Sequence, residues 1–246
     1  MDKIKTFKIF DSFTLRVIAM VSMLLDHMWA TVITGNAWMT YAGRLAYPIF
    51  AFLLVEGFFH TSNLKKYLVR LGIFAIISEI PFNLIMGGSI IYPFHQNVIV
   101  TFLIGLITMY IIEKSKSIEN KFLATIGVIA TCIFSFIFAT ITLADYFGYG
   151  ILIILVFYFA HGLKYGWIIE LVGMIYVNYI LMGGQVIPMF GGVFEFPTQA
   201  FALLSLIFIW LYNGKRGINS KIARYSFYIF YPLHMLILYF IAVAIR

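Results

Sequence analysis

Charged residues are scarce in this sequence. Asp, Glu, Lys and Arg together account for 11% of the 246 residues, whereas hydrophobic residues account for 63%. A soluble domain could not bury so much apolar surface, so lipid has to be the solvent for most of the chain. The sequence also contains no polar stretch long enough for a second domain. We therefore expect one integral membrane domain that occupies residues 1–246.

Cysteine is nearly absent as well. The single cysteine, Cys132, lies in the apolar run 122–139, which excludes an internal disulfide and a metal cluster held by cysteines. The five histidines are scattered, and no two of them are four residues apart as in a helical zinc site, so we expect no metal. A G-x-S-x-G nucleophile elbow is also missing, which argues against a Ser-His-Asp hydrolase.

Nine apolar segments divide the chain. About 20 apolar residues cross a bilayer as a helix. On this criterion the sequence predicts an all-α, polytopic membrane bundle of about nine transmembrane helices, over residues 13–34, 42–60, 67–86, 97–112, 122–143, 147–160, 165–182, 198–212 and 223–245. The sixth segment is the shortest, and a re-entrant segment there would change the number of crossings.

Lys and Arg occur in every second connection between the predicted spans. The first, third, fifth and seventh connections hold no Lys or Arg, and only Arg246 at the chain end departs from the alternation. The positive-inside rule then places the N-terminus in the cytoplasm and the C-terminus outside. Because this topology accounts for the net charge of +7, we expect the lipid bilayer as a partner and no nucleic acid. The basic residues of the N-terminus and the even connections, with Arg70 just inside the third helix, are Lys3, Lys5, Lys8, Lys65, Lys66, Arg70, Lys114, Lys116, Lys121, Lys164, Lys215, Arg216, Lys221 and Arg224.

Several ionisable residues lie within the predicted spans. Each costs about 2.5–3.5 kcal/mol at the centre of a membrane helix on insertion scales. One or two could be structural pairs, but so many indicate a polar interior that water or a ligand reaches. They are Arg16, Asp26, His27, Arg44, Glu56, Glu79 and His234.

The first helix carries a cation and an imidazole on one stripe. Arg16 and His27 are eleven positions apart, and steps of about 100° return them to the same face, roughly 16 Å apart along the axis. This spacing suits a long anionic cofactor whose phosphates meet Arg16 and whose reactive end reaches His27. The alternative is that Arg16 extends to the inner headgroups while His27 makes a hydrogen bond between helices.

Two carboxylates lie at a depth similar to that of His27. Asp26 points about 100° away from His27, so it faces a neighbouring helix, where it pairs with Arg44, contributes to the site, or does both. Glu79 lies two residues before Pro81, and the kink at a helix proline commonly borders a cavity. Glu79 therefore either holds the tautomer of His27 and raises its basicity or stabilises the kink.

Polar residues near the predicted outer end complete the set. His95 precedes the fourth helix, Asp145 lies in a tight outer turn, and His234 lies in the last helix, where it faces protein rather than lipid. Each of them has a structural alternative as a cap, a turn residue or a pairing partner. Otherwise they contribute to a substrate site together with Arg44.

Seven segments, in order along nearly the whole chain, resemble the TraX family of membrane proteins. That family is named for a protein that acetylates the N-terminus of a conjugative pilin. The stretch 43–83 is the most specific. The segments are LLDH at 24–27, GRLAYPIFAF at 43–52, EGFFHT at 56–61, KKYLVRL at 65–71, SEIPF at 78–82, QNV at 96–98 and YPLHML at 231–236.

The Arg-to-His spacing and the YPLH segment are also similar to the wider transmembrane acyltransferases. These include bacterial O-acetylases of surface glycans and the lysosomal heparan N-acetyltransferase. They take acetyl-CoA on the cytoplasmic side and deliver the acetyl group across the membrane. Their working histidine matches His27 and their cation matches Arg16. Members of the wider group commonly have ten or more spans, whereas nine are predicted here, so the architecture of the acceptor side stays open.

The resemblance implies a membrane-bound acetyltransferase in a bacterial inner or plasma membrane. We expect it to move an acetyl group from cytoplasmic acetyl-CoA to an amine or hydroxyl of a peptide N-terminus, such as a pilin-like one, or of a surface glycan. His27 is the predicted general base, tuned by Glu79 and less surely by Asp26. The predicted phosphate-binding residues are Arg16, Lys65, Lys66 and Arg70, and the predicted acceptor-side residues are Arg44, His95, Asp145 and His234.

Two other functions stay open from the sequence. Buried Asp, Glu and His residues can also relay protons in a proton-coupled transporter or a flippase. Such proteins often contain inverted repeats and paired broken helices, neither of which this sequence shows. A structural role in a secretion or pilus assembly is the third reading, and the buried charges argue weakly against it.

Overall fold

The structure is a computed structural model that describes residues 8–218 and 220–245. Lys3, Lys5 and Arg246, which entered the topology prediction, lie outside the described residues. The helices are α1 Ser12–Thr31, α2 Ala37–Gly43, α3 Ala46–His60, α4 Leu64–Gly87, α5 Val98–Lys116, α6 Lys121–Ile141, α7 Phe147–Ala160, α8 Gly166–Ile175, α9 Ser205–Trp210 and α10 Lys221–Ala244. A π-helical turn over Tyr176–Leu181 extends α8, and a 3₁₀ segment over Thr198–Leu204 leads into α9.

Among the described residues, six helical segments are long and apolar enough to cross a membrane. They are α1, α2 together with α3, α4, α5, α6 and the part of α10 over Tyr225–Ala244. The three other predicted spans coincide with shorter apolar helices over Phe147–Ala160, Gly166–Leu181 and Thr198–Trp210. A mostly helical, multi-pass membrane bundle is therefore confirmed, whereas the count of nine crossings and the direction of the topology stay predictions.

Polar caps explain where several helices begin. Asp11, Asn63, Asn97, Asn120 and Ser220 each precede a helix, and each side chain accepts a hydrogen bond from a backbone N–H of the first turn. Asx and serine side chains at this position satisfy donors that the helix itself leaves unpaired. The residue pattern thus sets the helix starts of α1, α4, α5, α6 and α10.

The second predicted span differs from the structure. The sequence predicts that this span begins at residue 42. In the structure the helix begins at Ala37, and it is interrupted between Gly43 and Ala46. Arg44 lies in this break. Its side chain reaches polar groups of three other segments, as described below.

A β-hairpin occupies a connection that the sequence predicted only as a loop. Strands β1 Val186–Met189 and β2 Phe194–Pro197 pair antiparallel, with Val186 opposite Pro197. A 3₁₀ turn over Phe190–Gly192 joins them, and Gly191 and Gly192 have φ of 72° and 93°, which suits glycine. A search for apolar runs of membrane length cannot detect strands of four residues.

Helix α7 lies at the centre of the bundle. It packs against α3, α5, α6 and α8, and most of its side chains are buried, including Ile151, Ile154 and Phe157. Helix α6 covers it on one side and exposes Ile129, Phe134 and other large apolar side chains, as a lipid-facing helix does. The shortness of the sixth predicted span therefore goes with a helix enclosed by protein.

The connections define two ends of the bundle. We call the end with residues 61–63, 117–120, 161–165, 211–218 and 220 the basic end. The opposite end holds residues 32–36, 88–97, 142–146 and 182–197.

Candidate functional site

A cavity of about 520 Å³ opens at the basic end, among α1, α3, α4, α5 and α10. Ser62 and Asn63 of one connection and Gly214 of another lie at its mouth. Four cationic side chains line it, and clustered cations in a cleft attract a multiply charged anion. They are Arg16, Lys66, Arg70 and Arg216.

The lining becomes apolar with depth. Met20 and Met23 of α1, Phe50 of α3 and Phe102 of α5 form much of the deeper wall. Val98 also lines the cavity, and it is the first residue of α5, which begins at the opposite end. The cavity therefore extends through most of the bundle, and its gradient suits a ligand with an anionic head and a long, less polar tail.

Helix α1 supplies a continuous stripe from the cavity mouth inward. Arg16, Met20 and Met23 line the cavity, and His27 follows one turn later on the same face. The Arg16 guanidinium lies 5.4 Å from the ring centroid of Phe227, which also lines the cavity. The predicted stripe of Arg16 and His27 thus faces the interior of the bundle.

His27 contacts a second histidine at the end of this stripe. Its Nδ1 lies 2.8 Å from Nε2 of His234 on α10. Nδ1 of His234 lies 2.7 Å from the carbonyl oxygen of Phe230, one turn earlier in α10. His234 is only 5% exposed, and the ring of Tyr231, which lines the cavity, contacts it. The paired imidazoles therefore lie just beyond the inner lining of the cavity, which includes Met23 and Tyr231 but neither histidine.

Arg44 connects several polar groups at the break between α2 and α3. Its Nη2 donates to Thr40 Oγ1 at 2.7 Å and lies 3.4 Å from Asp26 Oδ1, so the ion pair that the sequence allowed is present. Nη1 donates to Gln199 Oε1 at 3.4 Å, and Gln199 donates to Asn178 Oδ1 at 3.0 Å. Asp26 also accepts a hydrogen bond from Thr40. Asp26 thus forms an ion pair with Arg44 and is not hydrogen-bonded to His27.

Two buried polar atoms in this region have no hydrogen-bond partner among the described residues. They are Nε of Arg44 and the hydroxyl of Tyr47. The Tyr47 ring stacks on Tyr146 with centroids 4.1 Å apart. Leaving a buried donor unpaired costs free energy, so both groups can hydrogen-bond a bound carbonyl or oxyanion without first losing another partner.

Asp145 and His95, both predicted on the acceptor side, are neighbours. His95 Nε2 lies 3.3 Å from Asp145 Oδ1. This hydrogen bond raises the pKa of His95 above its ordinary value, against the opposite effect of partial burial. Asp145 also interacts electrostatically with His27, Asp26 and Arg44, so the predicted acceptor-side groups and the base share one region.

The turn that carries Asp145 is strained. Leu143, Tyr146 and Phe147 have φ of 55°, 62° and 48°, a left-handed conformation that is uncommon outside glycine. Such residues cost on the order of 1–3 kcal/mol each and persist where surrounding contacts hold them. Here Thr101 Oγ1 donates to the Asp145 carbonyl at 2.6 Å, and the Tyr146 N–H donates to Asp145 Oδ1 at 3.1 Å.

Glu79 is hydrogen-bonded to Asn97, whereas the His27 ring is hydrogen-bonded to His234. Glu79 Oε2 accepts hydrogen bonds from the side chain and the backbone N–H of Asn97, the residue that caps α5. The predicted direct contact between Glu79 and His27 is thus replaced by His234, a residue 207 positions from His27. Glu79 remains in the same polar region, because it also interacts electrostatically with His95.

The cavity includes residues that sequence reasoning did not select. The sequence pattern of Arg216 indicates topology only, and Tyr228 carries no sequence signal. Both line the cavity, and the Tyr228 hydroxyl accepts a hydrogen bond of 2.9 Å from Arg70 Nε. Lys65, by contrast, is exposed and does not line the cavity, whereas Lys66 does. Helical geometry separates these adjacent lysines by about 100°, so only one of them can face inward.

Comparisons with known proteins agree with the resemblance seen in the sequence. The chain matches the family described as "TraX protein" over residues 12–242. It is 29% identical over 244 residues to "Probable fimbrial assembly protein FimC, serogroup H1" of Dichelobacter nodosus, a match that covers 93% of this chain and 94% of that one. No solved protein structure matches the chain. The match over nearly its full length shows that the chain belongs to the TraX family.

Proposed function

We propose that this protein is a membrane acetyltransferase that moves an acetyl group from cytoplasmic acetyl-CoA to an amine or hydroxyl at the opposite side of the membrane. The observation that carries the proposal is the cavity, which begins among four cations at the basic end and extends along α1 to Met23, one turn before His27 and its hydrogen-bonded partner His234. Membership of the TraX family supports the same chemistry.

The cavity lining fits the chemistry of coenzyme A. Its phosphates require several cations, which Arg16, Lys66, Arg70 and Arg216 supply at the mouth. Its pantetheine arm is long and weakly polar, and it suits the deeper wall of methionine and aromatic side chains. An arm that enters along the stripe of α1 places the thioester beyond Met23, next to His27.

His27 is the proposed general base. It takes the proton of the acceptor as the acceptor nitrogen or oxygen forms a bond to the acetyl carbonyl carbon. The carbon–sulfur bond then breaks, and His27 returns the proton to the leaving thiolate. A positioned base of this kind contributes about 10²–10⁴-fold in rate. The unpaired Nε–H of Arg44 is the candidate donor to the developing oxyanion.

The polar region at the opposite end supports an amine acceptor. The carboxylates of Asp145, Glu79 and Asp26 lie there, and they attract a cationic group before it loses its proton at the base. An N-terminal α-amine, with a pKa of about 7.7–8.0, is neutralised more readily than a lysine. The name of the relative, a fimbrial assembly protein, favours a pilus subunit as the acceptor.

The test is acetyl transfer by the purified protein. Wild type, His27→Gln, Arg16→Ala and Lys66→Ala are compared with radiolabelled acetyl-CoA and a peptide with a free N-terminus. We expect His27→Gln to lower kcat about 100-fold or more. The two cation variants should raise the KM for acetyl-CoA about tenfold with a smaller change in kcat, because they remove phosphate contacts.

A matched control uses a lysine at the same end of the bundle. Lys121 is exposed at the start of α6 and does not line the cavity, so Lys121→Ala should match wild type. Equal activity of wild type and His27→Gln would reject the proposed base. If no transfer occurs but the protein moves solute when a pH gradient is applied, the transporter reading replaces the enzyme.

A further inference from the structure

We propose that His234 is a positioning residue that holds His27 in the Nδ1–H tautomer, so that Nε2 of His27 carries the lone pair that acts as the base. This inference rests on the proposed function for its catalytic consequence. The tautomer itself follows from contacts within the chain and can be measured without any substrate.

The contact between the two rings is a hydrogen bond rather than stacking. The ring planes are nearly parallel, at 4°, with centroids 5.0 Å apart, yet the nearest nitrogens are only 2.8 Å apart. Parallel rings in face-to-face contact keep their atoms about 3.5–4.0 Å apart. The rings therefore meet edge to edge, which points a ring N–H at a lone pair of the other ring.

The carbonyl of Phe230 determines the direction of this hydrogen bond. A carbonyl oxygen only accepts, so Nδ1 of His234, 2.7 Å away, carries a hydrogen. A neutral imidazole carries a single N–H, so Nε2 of His234 has the lone pair and accepts. Nδ1 of His27 is then the donor, and Nε2 of His27 is left with its lone pair.

The carboxylates that could have held the His27 tautomer are hydrogen-bonded to other residues. Asp26 is bonded to Thr40 and lies beside Arg44, and Glu79 is bonded to Asn97. The charged groups that act on His27 from other segments are Asp145, in the turn before α7, and Arg44, between α2 and α3, and both act at longer range. Among the described residues, His234 is the one whose side chain is hydrogen-bonded to the His27 ring.

The hydrogen bonds of the two histidines also stabilise the positive charge that forms on His27 during transfer. When Nε2 of His27 takes the acceptor proton, the ring becomes a cation with hydrogens on both nitrogens. The Nδ1–H remains bonded to Nε2 of His234, whose own Nδ1–H stays on the Phe230 carbonyl, so this chain of polarised bonds spreads the charge. The proton on Nε2 then passes to the thiolate, and both rings return to their starting tautomers.

The first test measures the tautomer directly. Because the chain has only five histidines, ¹⁵N-histidine labelling of the protein in lipid nanodiscs gives a short list of ring signals, and loss of one set in His27→Gln assigns His27. In wild type we expect the hydrogen of His27 on Nδ1. In His234→Leu we expect the His27 hydrogen to move to Nε2. A wild-type His27 with its hydrogen on Nε2, or no change in His234→Leu, overturns the proposal.

The second test asks whether the tautomer matters for turnover. His234→Gln keeps an acceptor oxygen within reach of the His27 Nδ1–H, whereas His234→Leu removes it. We expect His234→Leu to lower kcat about tenfold to 100-fold without changing the KM for acetyl-CoA, and His234→Gln to recover most of the loss. Met235→Leu, at a neighbouring buried position in α10, is the packing control.

The outcomes separate this proposal from the proposed function. Equal losses in His234→Leu and His234→Gln, with all variants folded by thermal melting, would assign His234 a packing role and overturn the positioning role. A wild-type protein that holds the Nδ1–H tautomer but transfers no acetyl group would reject the enzyme while the hydrogen-bond assignment stands.

Discussion

At the residue scale, the hydrogen bond between His95 and Asp145 makes the stability of the folded protein depend on pH. The hydrogen bond with Asp145 raises the pKa of His95 above its ordinary value of 6.5, and the charge of Glu79 acts in the same direction. A group whose pKa is raised by folding stabilises the protein fully below its unfolded pKa. That stabilisation is lost as the pH rises through the folded-state pKa.

We therefore expect the melting temperature of the wild-type protein to fall as the pH is raised above about 6.5. His95→Gln cannot gain this charge, so its melting temperature should vary less over the same interval. Asp145→Asn removes the partner and should flatten the dependence in the same way. A wild-type slope that survives in both variants would show that other groups produce it.

Arg44 shows how a single side chain draws several segments together. It bonds to Thr40 of α2 and Gln199 of the 3₁₀ segment and lies beside Asp26 of α1. The charge of Arg44 indicates from the sequence that it has a partner. Nothing in the sequence indicates that Gln199 and Asn178 belong to the same hydrogen-bond network. Neutral amides are common in loops and helices, and nothing in their spacing indicates that they meet Arg44.

At the element scale, the close approach of α1 and α2 depends on Gly43. A Cβ at this position would lie 2.7 Å from Cγ of Asp26. Gly43→Ala should therefore push the two helices apart and disturb the ion pair of Asp26 with Arg44. We expect a destabilisation of about 1–3 kcal/mol, as for overpacked cores, measured as a lower melting temperature.

Gly72→Ala is the matched control for that substitution. Gly72 lies within α4, and a Cβ there would lie 3.9 Å from its nearest neighbour, Leu103. Alanine favours helix over glycine by roughly 0.5–1 kcal/mol, so this variant should be as stable as wild type or slightly more stable. Equal stability of the two variants would contradict the tight contact at Gly43.

Elements with a local signal could be predicted from the sequence. Among the described residues, hydropathy located the six helical segments long enough to cross a membrane and three shorter apolar helices, and helical periodicity put Arg16 and His27 on one stripe of α1. The break at Arg44 and the hairpin of β1 and β2 were missed because their signals are shorter than a span. The contact of His27 with His234 could not be predicted, since it joins residues 207 positions apart and depends on how α1 packs against α10.

At the scale of the whole molecule, the proposed acetyl-CoA site faces its donor only if the basic end lies in the cytoplasm. Single cysteines test this in a Cys132→Ser background. Ser117→Cys lies in a connection of the basic end, and Ser89→Cys lies at the opposite end. In intact cells, a membrane-impermeant maleimide should label Ser89→Cys and not Ser117→Cys. Labelling of Ser117→Cys alone would reverse the topology and place the cations outside.

In the proposed mechanism, acetyl-CoA bound on the cytoplasmic side reacts through the bundle with an acceptor on the opposite side of the membrane. Inverted membrane vesicles that contain the protein, loaded with an acceptor peptide and supplied outside with labelled acetyl-CoA, measure this directly. We expect label on the enclosed peptide with wild type and about 100-fold less with His27→Gln. An unlabelled enclosed peptide, or equal labelling with His27→Gln, would contradict this mechanism.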